Sequence, residues 1–280
     1  MTSNSDKKFS ELAKRLFTGI IGSFLMIWIV ASSEWGFFAI FLACTLITQL
    51  EFYKLIIKGG YIPLKTYGAI VGAVLFILAF FIESGKLKGE WLFILFPLTS
   101  VIYFIKLYKK GEMYPFRNIA FTFLGIVYVA LPFSLLGAAA YTLGEYNPKI
   151  IIGIFLILWA SDTGAYFAGT LFGKRKLFER VSPKKSWEGS LGGAILSIAF
   201  AIGISYFFVE LQPWKWIVIS ILTIVGGTYG DLVESLFKRS MQIKDSGTKL
   251  PGHGGFLDRF DGLLLAIPFI VIFLKFFAKH

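Results

Sequence analysis

Between Lys244 and Gly262 the chain reads KDSGTKLPGHGGFLDRFDG, with three Asp, two Lys, an Arg, a His and five Gly in nineteen residues. Asp258 and Asp261 stand three apart, so a helix starting near Leu257 carries both on one face. Upstream, Asp231, Ser235 and Lys238 fall at i, i+4 and i+7, a single helical stripe. Asp162 lies in WASDTGAYFAGTLFGK with no Lys or Arg within ten positions on either side, so its partner must come from elsewhere in the fold. Carboxylates that hold Mg²⁺ beside Lys and Arg donors are what phosphoryl or nucleotidyl transfer needs, because the metal bridges phosphate oxygens and the cations offset developing charge. Asp162, Asp231, Asp258 and Asp261, with Asp245 as a fifth, form such a set if the fold brings them together. Gly252, Gly254 and Gly255 let backbone N–H groups approach phosphates, and His253 beside them is a further donor.

The elements that must position these residues are membrane helices. Of 280 residues, 56% are hydrophobic and only 16% charged, against about 25% charged in soluble domains. That much apolar surface exceeds what one soluble core hides, so lipid is the solvent for most of the chain. A spanning helix takes about 20 apolar residues. Nine candidates follow: 16–31, 35–53, 67–82, 91–107, 118–142, 150–172, 189–209, 214–236 and 258–278. The first follows a polar stretch without a small-residue cleavage site and reads as a retained span. Asp231 lies fifteen residues beyond Trp216 in the eighth run, roughly 22 Å along it at 1.5 Å per residue. A carboxylate at that depth is costly and points to function. Glu51 and Gln49 lie in the second span with their roles open.

Sorting Lys and Arg by alternate loops puts 22 of the 28 on one side and six on the other. By the positive-inside rule the N-terminus is cytoplasmic and the C-terminus outside, which requires an odd number of spans. The same rule accounts for the net charge of +11 without nucleic acid. The single Cys44 excludes an intramolecular disulfide and a cysteine-rich zinc site. The Walker, Rossmann and H-E-x-x-H patterns are absent, so a bound nucleotide needs another device. Two other classes are weighed. A cation- or proton-coupled carrier would use intramembrane Asp162, Asp231 and Glu51, but the charges cluster on one face and no internal repeat is found. A CTP-dependent polyprenol kinase would share the nucleotide and transfer its γ-phosphate instead.

Ser235 to Asp261, SLFKRSMQIKDSGTKLPGHGGFLDRFD, resembles without departure the signature of phosphatidate cytidylyltransferases, the CDP-diacylglycerol synthases. The resemblance extends to Asp162 with AYFAG, to SPKKSWEG at Ser182–Gly189, and to Gly230–Asp231. It implies an all-α polytopic enzyme that transfers CMP from CTP to phosphatidate. The implied cofactor is Mg²⁺, with a second cation left open, and the implied partners are CTP, phosphatidate, the bilayer and a second copy in a homodimer. In bacteria such enzymes sit in the cytoplasmic membrane, here with the site facing the cytoplasm. Asp231, Asp258 and Asp261 are then the expected metal ligands, and Lys244 and Asp245 act with them in catalysis. Lys238, Arg239 and Arg259 are expected on substrate phosphates, with Lys184 and Lys185 holding the triphosphate or lipid headgroup. Ser235, His253, Gly254, Gly255 and Asp162 complete the substrate site. The chain divides on this reading into N-terminal helices over residues 1–148 and a catalytic part over 149–280.

Overall fold

The computed structural model describes residue 19 and residues 21–243 and 255–278. Among them eight helices are long and apolar enough to cross a membrane. A shorter apolar helix, α1 (Ile21–Ser32), precedes them at the place of the first expected span. There follow α2 (Glu34–Lys58), α3 (Lys65–Glu83), and α4 (Leu95–Tyr108), the last entered through a 3₁₀ turn at Gly89–Ile94. One span is built from α5 (Pro115–Gly125), a π-helical turn (Ile126–Ala130) and α6 (Leu131–Ala140). Then come α7 (Pro148–Phe172), α8 (Trp187–Ser205), α9 (Pro213–Ser240) and α10 (Leu257–Phe277). Among the described residues the chain departs from all-α at one place. Strands β1 (Lys176–Phe178) and β2 (Ser182–Ser186) pair antiparallel in the basic loop before α8.

Local chemistry sets the helix starts. Ser33 caps α2 by accepting from the Gly36 N–H at 3.0 Å, and Ser186 caps α8 by accepting from Gly189 at 3.1 Å. Asn147 caps α7, and Pro148, Pro115 and Pro213 supply the fixed φ favoured in a first turn.

Two close helix contacts then fix the C-terminal half. Helices α7 and α8 approach through small residues: a Cβ on Gly164 would stand 2.6 Å from the Gly192 carbonyl oxygen. Helices α9 and α10 do the same, since a Cβ on Gly230 would strike the Asp261 carbonyl. Gly230 therefore brings Asp231, its neighbour in sequence, against α10. Helix α10 is the hub, packed on α9, α6 and α2 and buried along most of its length. Its Phe260 ring meets Phe133 of α6 at 5.1 Å and Phe155 of α7 at 6.5 Å.

Charges segregate to the two ends of the bundle. At one end ion pairs tie Lys86 to Glu34, Lys149 to Glu210 and Lys275 to Glu83. At the other end lie the basic loops. There Lys106 donates to the Ile62 carbonyl at 2.7 Å and to Glu112 at 2.6 Å, while Asn118 donates to Glu112 at 2.9 Å. Lys106 and Glu112 side chains are only 1% and 4% exposed. Burial alone would push the Glu112 carboxyl up, but Lys106, Asn118 and Lys109 outweigh it and bring its pKa down from 4.5 to about 2. This loop network is thus complete above about pH 4.5 and is lost as pH falls toward 2. Removing its acid strands a buried lysine, so Glu112→Gln is expected to cost about 3–5 kcal/mol of stability at neutral pH. Thermal melts in detergent across pH would show the deficit shrinking in acid; a deficit independent of pH would break the argument.

Candidate active site

The site lies at the basic-loop end, where α7, α9, α10 and the hairpin meet. Its acids form two pairs, each with a lysine. In the first, Asp231 of α9 and Asp261 of α10 touch through their side chains, and Lys185 of β2 forms an ion pair with Asp231. Asp261 is 8% exposed and also accepts from the Gly262 N–H at 2.8 Å. In the second, Glu234 of α9 lies against Asp258 of α10, with Lys238 bound to both at 2.7 and 3.0 Å. The other Asp258 oxygen accepts from the Gly255 N–H at 3.0 Å.

Asp162 finds its partners in space rather than in sequence, since Lys185 and Arg259 act on it along with Asp231. Lys184 is exposed on β2 and makes no ion pair among the described residues. Ser235 is half-buried on the α9 face that carries Asp231, while Arg239 and Arg259 are exposed near the ends of α9 and α10. Lys244, Asp245, His253 and Gly254 lie outside the described residues.

Two site acids escaped the sequence reading. Glu234 was legible, because Asp231, Glu234 and Lys238 stand at i, i+3 and i+7 and Glu234 precedes Lys238 by one turn. Glu51 was noticed without a role. It is 2% exposed on α2, and its Oε2 accepts from the Phe256 N–H at 3.0 Å. That backbone group opens α10 and has no acceptor within its own turn, so a side chain 205 positions away supplies the cap.

Among the described residues no three His, Cys, Asp or Glu side chains are gathered in the manner of a metal centre. The touching pair Asp231–Asp261 still fits one. Two carboxylates in contact must share a proton or a cation, and an all-oxygen donor set suits Mg²⁺. The six-oxygen demand of that ion would be completed by substrate phosphates and water.

A polytopic membrane protein with paired acids and lysines at one end of its helices is built to act on a charged group at the membrane surface. The comparisons give that class a family. The profile described as the Cytidylyltransferase family matches residues 13–277. A phosphatidate cytidylyltransferase of Bacillus subtilis is 30% identical over 96% of this chain and 99% of its own length. One of Staphylococcus haemolyticus is 34% identical over 93% and 98%, and one of Haemophilus influenzae is 37% identical over 64% of each. This chain belongs to the cytidylyltransferase family and is a nucleotidyl-transferring enzyme.

Proposed function

We propose that this enzyme transfers CMP from CTP to phosphatidate, giving CDP-diacylglycerol and pyrophosphate for phospholipid synthesis. The observation that carries the reading is the contact of Asp231 with Asp261 beside Lys185, where membrane helices end in basic loops. A phosphatidate oxygen attacks the α-phosphorus of CTP, forming one P–O bond as the bond to the β-phosphate breaks. Pyrophosphate leaves in line, and no enzyme nucleophile is needed. When bound, Mg²⁺ would offset charge on the triphosphate, held by Asp231 and Asp261 with Asp258 nearby.

The chain's own residues do the rest. Lys185 approaches from the hairpin, on the side of Asp162, where it can meet a phosphate. Lys238 holds Glu234 and Asp258 together and so fixes the start of α10. Glu51 fixes the same start from α2. Lys244, Asp245, His253 and Gly254 belong on this reading to the segment that covers the triphosphate, with Ser235, Arg239, Gly255 and Arg259 around it.

We place the basic-loop end in the cytoplasm and the site at the inner face of the cytoplasmic membrane, with α1 as the ninth span and the C-terminus outside. The 22 of 28 basic residues assigned to that side support this. On this reading the catalytic part is residues 149–280, whose hairpin, α9 and α10 supply the two acid–lysine groups of the site, with Glu51 reaching in from α2. The working unit is a homodimer, as the family resemblance implies.

Purified protein in detergent is expected to release pyrophosphate only when CTP, phosphatidate and Mg²⁺ are all present, with CDP-diacylglycerol recovered. CDP formation with polyprenol in place of phosphatidate would transfer the assignment to a kinase. Cation flux into liposomes without CTP would make it a carrier.

A further inference from the structure

The π-helical turn Ile126–Ala130 interrupts an otherwise regular span, and its causes are local. Upstream, Tyr53 of α2 pushes its hydroxyl into the ladder and donates to the Thr122 carbonyl at 2.7 Å. The Ile126 N–H, which would ordinarily take that carbonyl, bonds to Phe123 instead. Downstream, Pro132 has no N–H to give the Tyr128 carbonyl four residues before it. The Leu131 N–H then reaches back five residues to Ile126. Turns of this kind concentrate at functional sites.

The residue this turn presents is Tyr128. Its ring packs on Phe52 at a centroid distance of 5.7 Å, and Phe52 in turn stacks on Phe237, next to Lys238. Its hydroxyl is buried and has no hydrogen-bond partner among the described residues. The charges acting on that hydroxyl are the carboxylates of Asp261, Glu234 and Asp231. Leaving a buried O–H unpaired destabilises the fold. A donor left unpaired within the field of those acids, and linked to α9 through Phe52 and Phe237, is matched to an acceptor that arrives with the substrate.

We infer that Tyr128 is a further substrate-binding residue, whose hydroxyl donates a hydrogen bond to a phosphate oxygen brought to the Asp231–Asp261 pair. This rests on the reaction proposed above. The phosphate belongs either to the nucleotide or to the lipid, and the kinetics separate the two. Tyr128→Phe keeps the ring on Phe52 and deletes only the donor. It is expected to lower kcat/KM about 10- to 100-fold, the range for a hydrogen bond to a charged group. A loss confined to the CTP series assigns the nucleotide phosphate, and a loss confined to the phosphatidate series assigns the lipid. The melting temperature without substrate should stay equal or rise, because an unpaired buried group has been removed.

Wild-type kinetics in Tyr128→Phe would overturn the inference, as would an activity loss matched by a lower melting temperature. A direct arm titrates Mg²⁺ with inorganic pyrophosphate into wild-type and variant protein and reads heat. Weaker binding by the variant supports the inference even if wild-type protein fails to turn over CTP and phosphatidate, an outcome that would sink the reaction instead. Equal pyrophosphate affinity combined with unchanged kinetics in both substrate series overturns the role of Tyr128 alone.

Discussion

Asp261→Asn is expected to lower turnover at least about a thousandfold while leaving the melting temperature unchanged or raised. The two effects have opposite signs because the pair is under electrostatic tension. Asp231 and Asp261 touch, and among the described residues Lys185 is the cation in ion-pair contact with Asp231. Asparagine has the shape of a protonated aspartate, so the folded chain loses a repulsion and keeps its packing. The reaction loses a full charge at the point where a cation and a triphosphate must be held. Losing metal-centred charge stabilisation costs several kcal/mol, which at 1.36 kcal/mol per decade is a thousandfold or more. Pyrophosphate release and a melting curve on the same preparation test both halves. Turnover above about a tenth of wild type would remove Asp261 from the reacting centre, and a large fall in melting temperature would make it a structural acid.

The site was partly legible because its residues obey local periodicity. The i, i+3 spacing placed Asp258 and Asp261 on one face, and α10 starts at Leu257 as that reading requires. Span ends agree within a few residues for most helices, since a run of apolar residues in lipid has little choice but to be helical. The larger departures are at C-terminal ends: α2 runs to Lys58 and α9 to Ser240, each at least a turn past the expected end, and α8 stops a turn short at Ser205. In α9 the extra turn carries Lys238 paired with Glu234. What sequence could not supply was pairing between distant segments. Glu51 and Phe256 are 205 positions apart, and only packing of α2 against α10 joins them. The hairpin escaped for another reason. A three-residue strand facing a five-residue one, mostly exposed, carries no alternation to detect, and its pairing is completed by the Trp187 N–H donating to the Arg175 carbonyl at 3.0 Å.

Gly230 and Tyr53 show how that packing becomes function. The missing side chain at Gly230 lets α9 and α10 meet, and the meeting forces two carboxylates together. The Tyr53 hydroxyl widens a turn in the neighbouring span, which presents Tyr128 within the field of the same carboxylates. Neither residue touches the chemistry. Both are set by van der Waals packing and one hydrogen bond, the forces that remain when lipid removes the hydrophobic drive between helices.

Lys238 is where structure alters an expected role, and its removal should be felt in stability as well as rate. As a free cation on α9 it would bind phosphate; it is instead clasped by Glu234 at 2.7 Å and Asp258 at 3.0 Å, and its side chain is 16% exposed. Lys238→Met would leave the adjoining carboxylates of Glu234 and Asp258 without the lysine that sits between them. Breaking such a buried pair costs about 3–5 kcal/mol, so a clear fall in melting temperature is expected. Activity should fall at least about a hundredfold, because Asp258 also anchors the Gly255 N–H and with it the entry to α10. The double variant Glu234→Gln with Lys238→Met restores charge balance. It is expected to recover most of the stability and little of the activity, since Asp258 still lacks the cation that orients it. Recovery of both would reduce Lys238 to a neutralising charge. Recovery of neither would mean that the lysine's reach, rather than its charge, holds α9 to α10.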